Sequence, residues 1–290
     1  MLMILLFFTG LFAGTIDAIA GGGGLITIPM LLSIGMPPHL VFGTNKLQGM
    51  LGTSMATFKF YKHGWISFKN IYHGLIASAI GAILGAILAQ VLSTAFLSQI
   101  IPILLVAILI YTIFSPKLGH IDSTPKIKEF SFYLIFGFIM GAYDGFFGPA
   151  TGSFWVFLLT YFMGYNLIKA TAYTKVFNLN SSLIAMVCFA IGNNIDYKIG
   201  LCMAAGQLIG GRLGASLAMK KGAQIIRPIF LIIVTLTIAT LVAKNYAHAD
   251  FVTHFTHQYG IVPSIMLAMA LLISATIFFF KIRKKQKAQI

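Results

Sequence analysis

Long apolar segments alternate with short polar ones along the chain. Most contain the roughly 20 residues that an α-helix needs to cross the hydrocarbon core of a bilayer, which is about 30 Å thick. The pattern therefore predicts an all-α, polytopic membrane protein. The apolar segments cover residues 2–34, 40–60, 70–92, 97–115, 130–162, 168–192, 198–218, 225–244 and 260–281.

Two of these segments, 2–34 and 130–162, are too long for one crossing. Backbone that leaves the helix at membrane depth must be satisfied by protein or water, so such interruptions are costly unless they line a site. We therefore expect a broken or re-entrant helix in each segment. The interrupting residues are Gly21, Gly22, Gly23, Gly24 and Pro29 in the first, and Gly148, Pro149 and Gly152 in the second.

An internal repeat is the strongest signal in the sequence. The motif Gly-x-x-x-Gly-x-x-Asp ends at Asp17 and again at Asp144, 127 residues later (144 minus 17). Lys46 and Lys175 then recur at an offset of 129 (175 minus 46). A third pair of anchors with the same offset is Gly81-x-x-x-Gly85 and Gly210-x-x-x-Gly214. Three anchors in the same order indicate a duplication.

The repeat and the polar segments predict the domain organisation. We expect a first transmembrane repeat at 1–115, a linker at 116–129 and a second transmembrane repeat at 130–244. Residues 245–290 would form a loop, an extra C-terminal helix and a basic tail.

The placement of basic residues favours inverted halves, because cytoplasmic loops carry the excess of lysine and arginine. The loop at 59–69 holds three lysines, whereas its counterpart at 193–198 holds one lysine against one aspartate. Conversely, the loop at 90–99 is uncharged and its counterpart at 219–227 is basic. Inverted topology requires an odd number of crossings in each half, and it places 59–69, 219–227 and the tail in the cytoplasm.

Composition agrees with a lipid-embedded chain. Of its residues 58% are hydrophobic and 9% are charged, against roughly a quarter charged in soluble domains. The net charge of +14 comes from clusters that flank apolar segments, so it indicates a membrane surface and not nucleic acid. The bilayer is the expected partner. A homodimer is compatible with this pattern and is not required by it.

Five ionisable residues lie inside apolar segments, where a charge costs about 2.5–3.5 kcal/mol at the bilayer centre. Four of them form the equivalent pairs Asp17 with Asp144 and Lys46 with Lys175, and the fifth is Arg212. Our hypothesis is that each half brings one lysine and one broken helix to a shared anion site. The backbone N–H groups and positive dipole end of a broken helix favour an anion, and glycines let that backbone approach it.

The candidate site follows from this hypothesis, and other interpretations stand beside it. Asp17 and Asp144 are either coupling groups or static ion-pair partners of the lysines. The Gly21–Gly24 run is alternatively a close helix crossing, and Arg212 is either an anion ligand or a snorkelling side chain. The glycines of the third anchor pair indicate helix packing. The candidate substrate-binding residues are Gly21, Gly22, Gly23, Gly24, Thr27, Thr44, Asn45, Lys46, Gly148, Pro149, Thr151, Gly152, Thr174 and Lys175.

The sequence contains no recognisable motif for enzymatic catalysis or for cofactor binding. The glycine run does not follow a strand and lacks the lysine of a phosphate-binding loop. Cys188 and Cys202 have no ligand spacing, and His248, His254 and His257 occupy a polar loop without a helical metal-ligand pair. We therefore expect no cofactor, no metal and no catalytic residue.

Two motifs resemble the TauE/SafE family of membrane proteins, often described as sulfite exporters or YfcA-like proteins. The first is GTIDAIAGGGGLITIP at residues 14–29 with Gly43-Thr44-Asn45-Lys46, and the second is Gly141-x-x-Asp144-Gly145-x-x-Gly148-Pro149-x-x-Gly152 with Thr174-Lys175. The similarity covers residues 5–245. It implies a plasma-membrane transporter of the bacterial inner-membrane type with two repeated halves, acting on sulfite, sulfonates, other organosulfur anions or carboxylates.

The leading functional hypothesis is a secondary transporter that moves a small anion by alternating access. A passive anion channel would use the same residues and is the main alternative. A membrane-embedded enzyme or assembly factor is the third class, and it would need a nucleophile–base pair or a metal cluster.

Overall fold

The computed structural model describes residues 1–69, 71–114 and 122–221, and within them the chain is entirely helical, without strands. Residues 116–121 of the linker, residues 222–227 of the basic 219–227 loop, the apolar segments 225–244 and 260–281, the polar loop between them and the basic tail lie outside the described residues. The helices are α1 (Leu2–Ala20), α2 (Gly24–Ser33), α3 (Pro38–Lys62), α4 (Tyr72–Val91), α5 (Thr94–Phe114), α6 (Glu129–Phe146), α7 (Thr151–Phe162), α8 (Leu167–Ile191) and α9 (Tyr197–Lys221).

The first long apolar segment breaks at its glycine run. Gly21 adopts a left-handed conformation (φ 70°, ψ 35°), and its N–H donates to the carbonyl of Asp17, which ends α1. Glycine reaches this conformation without a Cβ penalty, so it is the usual residue just past a helix end. The following α2 has only 10 residues, or about 15 Å, and cannot cross a bilayer.

The second long segment breaks by a different route. Gly148 (φ 94°) and Ala150 (φ 63°) are both left-handed, with Pro149 between them, and α7 begins at Thr151. Proline disfavours the helix interior because it lacks a backbone donor and clashes with the preceding turn. Each long segment therefore contains its predicted break between helices. The interruption predicted at Pro29 was wrong, because Pro29 lies inside α2.

Apolar side chains cover the outside of the bundle. In the part of the chain that the structure describes, three helices are long and apolar enough to span a membrane: Leu2–Ile19 of α1, Tyr72–Val91 and Leu167–Ile191. An exposed apolar surface of this extent is incompatible with water and suits lipid. Large exposed hydrophobic residues include Phe8 and Phe12 on α1, Ile80, Leu84 and Leu88 on α4, Leu134 and Ile135 on α6, and Leu201 and Leu213 on α9.

Glycines bring α9 close to α1. A Cβ added at Gly210 would overlap the backbone carbonyl of Leu11, and one at Gly214 would overlap the carbonyl of Thr15. Small residues four apart allow two backbones to approach closely, as in many membrane helix pairs. Because both residue numbers increase together along this contact, α1 and α9 run parallel.

The same arrangement joins α4 to α6. Gly81 lies against the carbonyl of Phe138, and Gly85 lies against the carbonyl of Ala142. These two helices also run parallel. The packing role predicted for both glycine pairs is thus observed.

Further contacts fix the directions of α3 and α8. The Thr57 hydroxyl of α3 donates to the carbonyl of Lys175 at 3.1 Å, whereas Gly43 lies against Asn194, just beyond the end of α8. Along this contact the residue numbers of α3 rise while those of α8 fall, so α3 and α8 are antiparallel. Gly43 of α3 contacts Asn194, just before α9 begins, and Gly52 contacts Gly211 within α9. Both residue numbers rise together along this contact, so α3 is parallel to α9.

Candidate functional site

The two helix breaks meet in direct backbone contact. Gly21 and Gly152 face each other so closely that a Cβ on either would overlap the Cα of the other. Beside them, a Cβ on Gly24 would lie 3.3 Å from the Cα of Pro149. Only residues without side chains permit this approach, so the glycines of both interruptions serve one junction.

Lys46 of α3 reaches the break between α6 and α7. Its ammonium lies 3.0 Å from Asp144 Oδ1 and also donates to the backbone carbonyl of Asp144. The same ammonium would lie 2.7 Å from a Cβ on Gly148. Lys46 and Asp144 are both buried, so the lysine from one half of the sequence is held at the interruption in the other half.

Lys175 of α8 makes the reciprocal contact. Its ammonium lies 3.1 Å from Asp17 Oδ2 and donates to the backbone carbonyl of Asp17, in the last turn of α1. Lys175 is fully buried, while 19% of the Asp17 side chain is accessible. Each lysine therefore pairs with the aspartate of the other half. These two carbonyls lie at the C-terminal ends of α1 and α6, where the helix dipole is negative, so a cation is also favoured there.

Hydroxyl groups complete the environment of each aspartate. Asp144 accepts hydrogen bonds from Thr151 (3.1 Å), Ser181 (2.6 Å) and Ser182 (3.2 Å). Asp17 accepts from Thr53 at 3.2 Å and from the Gly23 N–H at 3.3 Å.

A cavity of about 40 Å³ lies at this junction. It has room for about three water molecules, because each needs roughly 10–15 Å³ by this measure. Some of its lining consists of predicted residues: Asp17, Gly21, Gly23, Gly24, Asn45, Lys46, Asp144 and Gly148. The rest was not predicted from the sequence: Gly49, Thr53, Asn178, Ser182 and Gln207.

The other predicted residues lie behind this lining. Thr27 donates to Asn45 Oδ1 at 2.6 Å, and Thr44 accepts from the Asp196 N–H at 2.9 Å. The buried Thr174 hydroxyl has no partner among the described residues. Thr151, Gly152, Pro149, Gly22 and Lys175 support the junction without lining the cavity. Arg212 is exposed on α9, away from the cavity, which matches the snorkelling alternative.

Two of the unpredicted lining residues carried a usable signal. Thr53 and Ser182 are 129 residues apart (182 minus 53), the offset that relates Lys46 to Lys175. Each hydroxyl donates to the aspartate of its own half: Thr53 to Asp17, and Ser182 to Asp144. Extending the repeat alignment past the charged residues would have found them.

Comparison with known proteins gives the same family as the motifs. Residues 6–241 match the family described as "Sulfite exporter TauE/SafE". The chain belongs to the TauE/SafE family. No solved structure matches it significantly.

The chain matches curated relatives over most of the length of each relative. The chain is 42% identical over 241 residues to a "Probable membrane transporter protein" of Haemophilus influenzae, covering 83% of this chain and 94% of the relative. It is 38% identical over 255 residues to "Probable membrane transporter protein YfcA" of Escherichia coli K12, covering 88% and 94%. A 23% identical relative is YunE of Bacillus subtilis, covering 81% and 96%.

Together with the apolar helices, these matches identify a multi-pass membrane transporter of the bacterial inner membrane, and not an enzyme. Within residues 1–69, 71–114 and 122–221, no three histidine, cysteine or acidic side chains are grouped so as to hold a metal.

Proposed function

We propose that this TauE/SafE protein is a secondary transporter of a small anion, with its binding site at the junction of the two helix breaks. The observation that carries the proposal is the crossed arrangement there: the Lys46 and Lys175 ammonium groups each bind the aspartate of the other half, beside the contact of Gly21 with Gly152. The family description supports sulfite as the substrate, and the resemblance carried by the motifs extends the candidates to sulfonates, other organosulfur anions and carboxylates.

The chemistry of the junction suits a small oxyanion. The N-terminus of α2 is the positive end of its helix dipole, and it lies at the cavity, where Gly23 and Gly24 are part of the lining. Glycines at Gly21, Gly23 and Gly24 let an anion approach this backbone closely. The Lys46 ammonium in the cavity lining adds the positive charge.

Inverted halves are the second part of the proposal. In the sequence alignment α1 corresponds to α6 and α4 to α9, and the observed contacts join α1 to α9 and α4 to α6. Parallel contacts put α1, α3 and α9 in one direction. The antiparallel contact of α3 with α8, and the bond from Asn180 of α8 to the carbonyl of Leu75 at 2.9 Å, support the opposite direction for α4, α6 and α8.

Inversion gives each end of the bundle a distinct charge. The end that holds the 63–71 loop and the start of α6 carries Lys62, Lys69 and Lys128 against Glu129, whereas residues 192–198 at the other end carry one lysine, Lys198, against Asp196. Lysine-rich loops stay in the cytoplasm. We therefore assign the 63–71 loop to the cytoplasm and the 192–196 loop to the opposite side.

The same contacts support alternating access as the transport mechanism. A cavity of about 40 Å³ has no room for a hydrated anion, so the described conformation is a closed one. Ion pairs that join the halves can break on one side and reform as the halves rock around the junction, as in other repeat-built transporters. A channel would instead need a continuous water-filled path through this cavity.

The first experiment identifies the ligand. Purified protein is screened by thermal shift against sulfite, sulfate, sulfonates, thiosulfate and small dicarboxylates. A ligand at 100 times its Kd raises the unfolding free energy by about 2.7 kcal/mol, so the substrate class should give the largest shift.

The second experiment tests the site in proteoliposomes. Single loss of Lys46 would leave Asp144 buried without its counter-charge, so we use the neutral double variant Lys46→Met with Asp144→Asn. We expect it to fold and to lose anion flux. The matched control is Lys169→Met with Asp122→Asn, an exposed ion pair of 3.7 Å outside the cavity, which should retain flux. Wild-type flux in the Lys46–Asp144 double variant would refute the site.

A further inference from the structure

The charges around the cavity do not favour an anion as they stand. The cavity lining contains two carboxylates, Asp17 and Asp144, and one ammonium, Lys46. The second ammonium, on Lys175, is fully buried behind Asp17 and does not line the cavity. An anion that enters this poorly hydrated space meets more negative than positive charge at its walls, and the repulsion is strong where water is scarce.

We propose, on the basis of the function proposed above, that Asp17 takes up a proton when the anion binds, so that the transporter moves a proton together with its anion. The O–H bond forms at an Asp17 carboxylate oxygen with a proton from water. The proton returns to water on the side where the anion leaves. While Asp17 is neutral, the Lys175 charge is no longer balanced by it, and the net charge of the four groups rises from zero to +1.

Asp144 is a poor candidate for this role because its oxygens are already occupied. Lys46 and Thr151 donate to Oδ1, while Ser181 and Ser182 donate to Oδ2, and only 5% of the side chain is accessible. The Lys46 ammonium beside Oδ1 cannot accept a hydrogen bond, and the two serine hydroxyls already fill the space around Oδ2. Asp144 therefore has little room for a new O–H group.

Asp17 has the opposite character. Its Oδ1 accepts one bond among the described residues, a long one of 3.3 Å from the Gly23 N–H, and 19% of its side chain is accessible. The cavity also offers an acceptor for a new O–H group. Asn178, a lining residue that is 6% exposed, has a buried Oδ1 without a partner among the described residues.

Other titratable groups around Asp17 do not provide the same switch. Lys175 approaches it from α8, Lys46 lines the cavity from α3, and Asp144 lines it from α6. The cavity lining from α2 and α9 is Gly24 and Gln207, neither of which titrates, and α7 contributes no residue to that lining. Both lysines donate to carboxylate and carbonyl oxygens.

The test measures binding of methanesulfonate, whose charge does not change across the pH range used, to purified protein in choline buffer at pH 6 and pH 8. Uptake of one proton per anion weakens binding by about tenfold for each unit of rising pH, or about a hundredfold across this interval. Asp17→Asn should bind equally at both pH values. The control Asp196→Asn should keep the wild-type dependence, because asparagine preserves the cap that Asp196 gives Ile199 at the start of α9.

Each outcome is decisive. Wild-type binding that is equal at pH 6 and pH 8 would overturn proton coupling and leave the anion site intact. A wild-type slope retained by Asp17→Asn would assign the proton to another group. Absence of binding at both pH values would overturn the anion site and the coupling together. Should Asp17→Asn fail to fold, a pH-indicator dye with wild-type protein decides: we expect about one proton taken up per anion bound, and none would refute the proposal.

Discussion

The Lys46–Asp144 and Lys175–Asp17 pairs occupy corresponding positions in the repeat but differ in their surroundings. The first is enclosed: three hydroxyl groups also donate to its aspartate, and both side chains are almost inaccessible. The second has a fully buried lysine and an aspartate that is partly open to the cavity. The two pairs therefore share one kind of contact and differ in the side chains around it; under the proposed function the first pair would hold the bundle together and the second would respond to a ligand.

The largest difference between the pairs should appear when one lysine is removed. Removing one partner of a buried ion pair typically costs about 3–5 kcal/mol, because the remaining charge is uncompensated. Lys46→Met should lower the thermal stability by that order, whereas Lys175→Met should cost less, because Asp17 has access to water and to a proton. Thermal unfolding in detergent measures both. The addition of Asp144→Asn should restore most of the loss in the first variant; equal losses for the two lysines would remove the proposed asymmetry.

A smaller effect is expected at the contact between the breaks. Gly152→Ala places a methyl group onto the Cα of Gly21 and must displace backbone, so it should destabilise the protein by about 1–3 kcal/mol. Gly49→Ala is a matched control for folding, because nothing lies within 4 Å of its added Cβ. Thermal unfolding should separate the two variants. Equal stability would mean that the two breaks are not held in contact.

The smallest effect should come from the corresponding hydroxyl groups. Thr53→Ala removes one of two side-chain donors to Asp17 Oδ2, whereas Ser182→Ala removes one of several donors to Asp144. Both bonds are long, at 3.2 Å, so each loss should cost no more than about 1 kcal/mol. We expect Thr53→Ala to bind methanesulfonate with a changed pH dependence and Ser182→Ala to keep the wild-type one. The reverse result would place the titrating group at Asp144.

The sequence predicted the broken helices and the importance of the paired charges, because glycine, proline and buried ionisable residues are local features with a known cost. It also placed most helices to within a few residues. It did not predict which aspartate each lysine would contact. A repeat offset relates equivalent positions and contains no information about proximity, and here each lysine is next to the aspartate of the other half.

Neutral residues were harder to predict than charged ones. Thr27 and Thr44 were expected at the site because they are polar and close in sequence to it, yet both are used in contacts that hold Asn45 and the residues before α9. Asn178 and Gln207 line the cavity from helices whose polar residues had no distinguishing pattern. Whether such a residue binds a ligand or a neighbouring helix depends on the rotation of its helix, which the hydrophobic pattern of a nearly uniform membrane helix does not fix.

The close packing of α1 against α9 has a consequence for biosynthesis. Their glycine contact joins residues near 11–15 to residues near 210–214, so the first helix enters the membrane long before its partner exists. At a translation rate of about 5–20 residues per second, that interval is on the order of 10–40 s. Lys175 of α8 follows Asp17 by 158 residues (175 minus 17), so Asp17 is without its partner for most of this time. A nascent chain stalled before α8 should therefore present an unpaired acid in lipid, which would mark it for quality-control proteases.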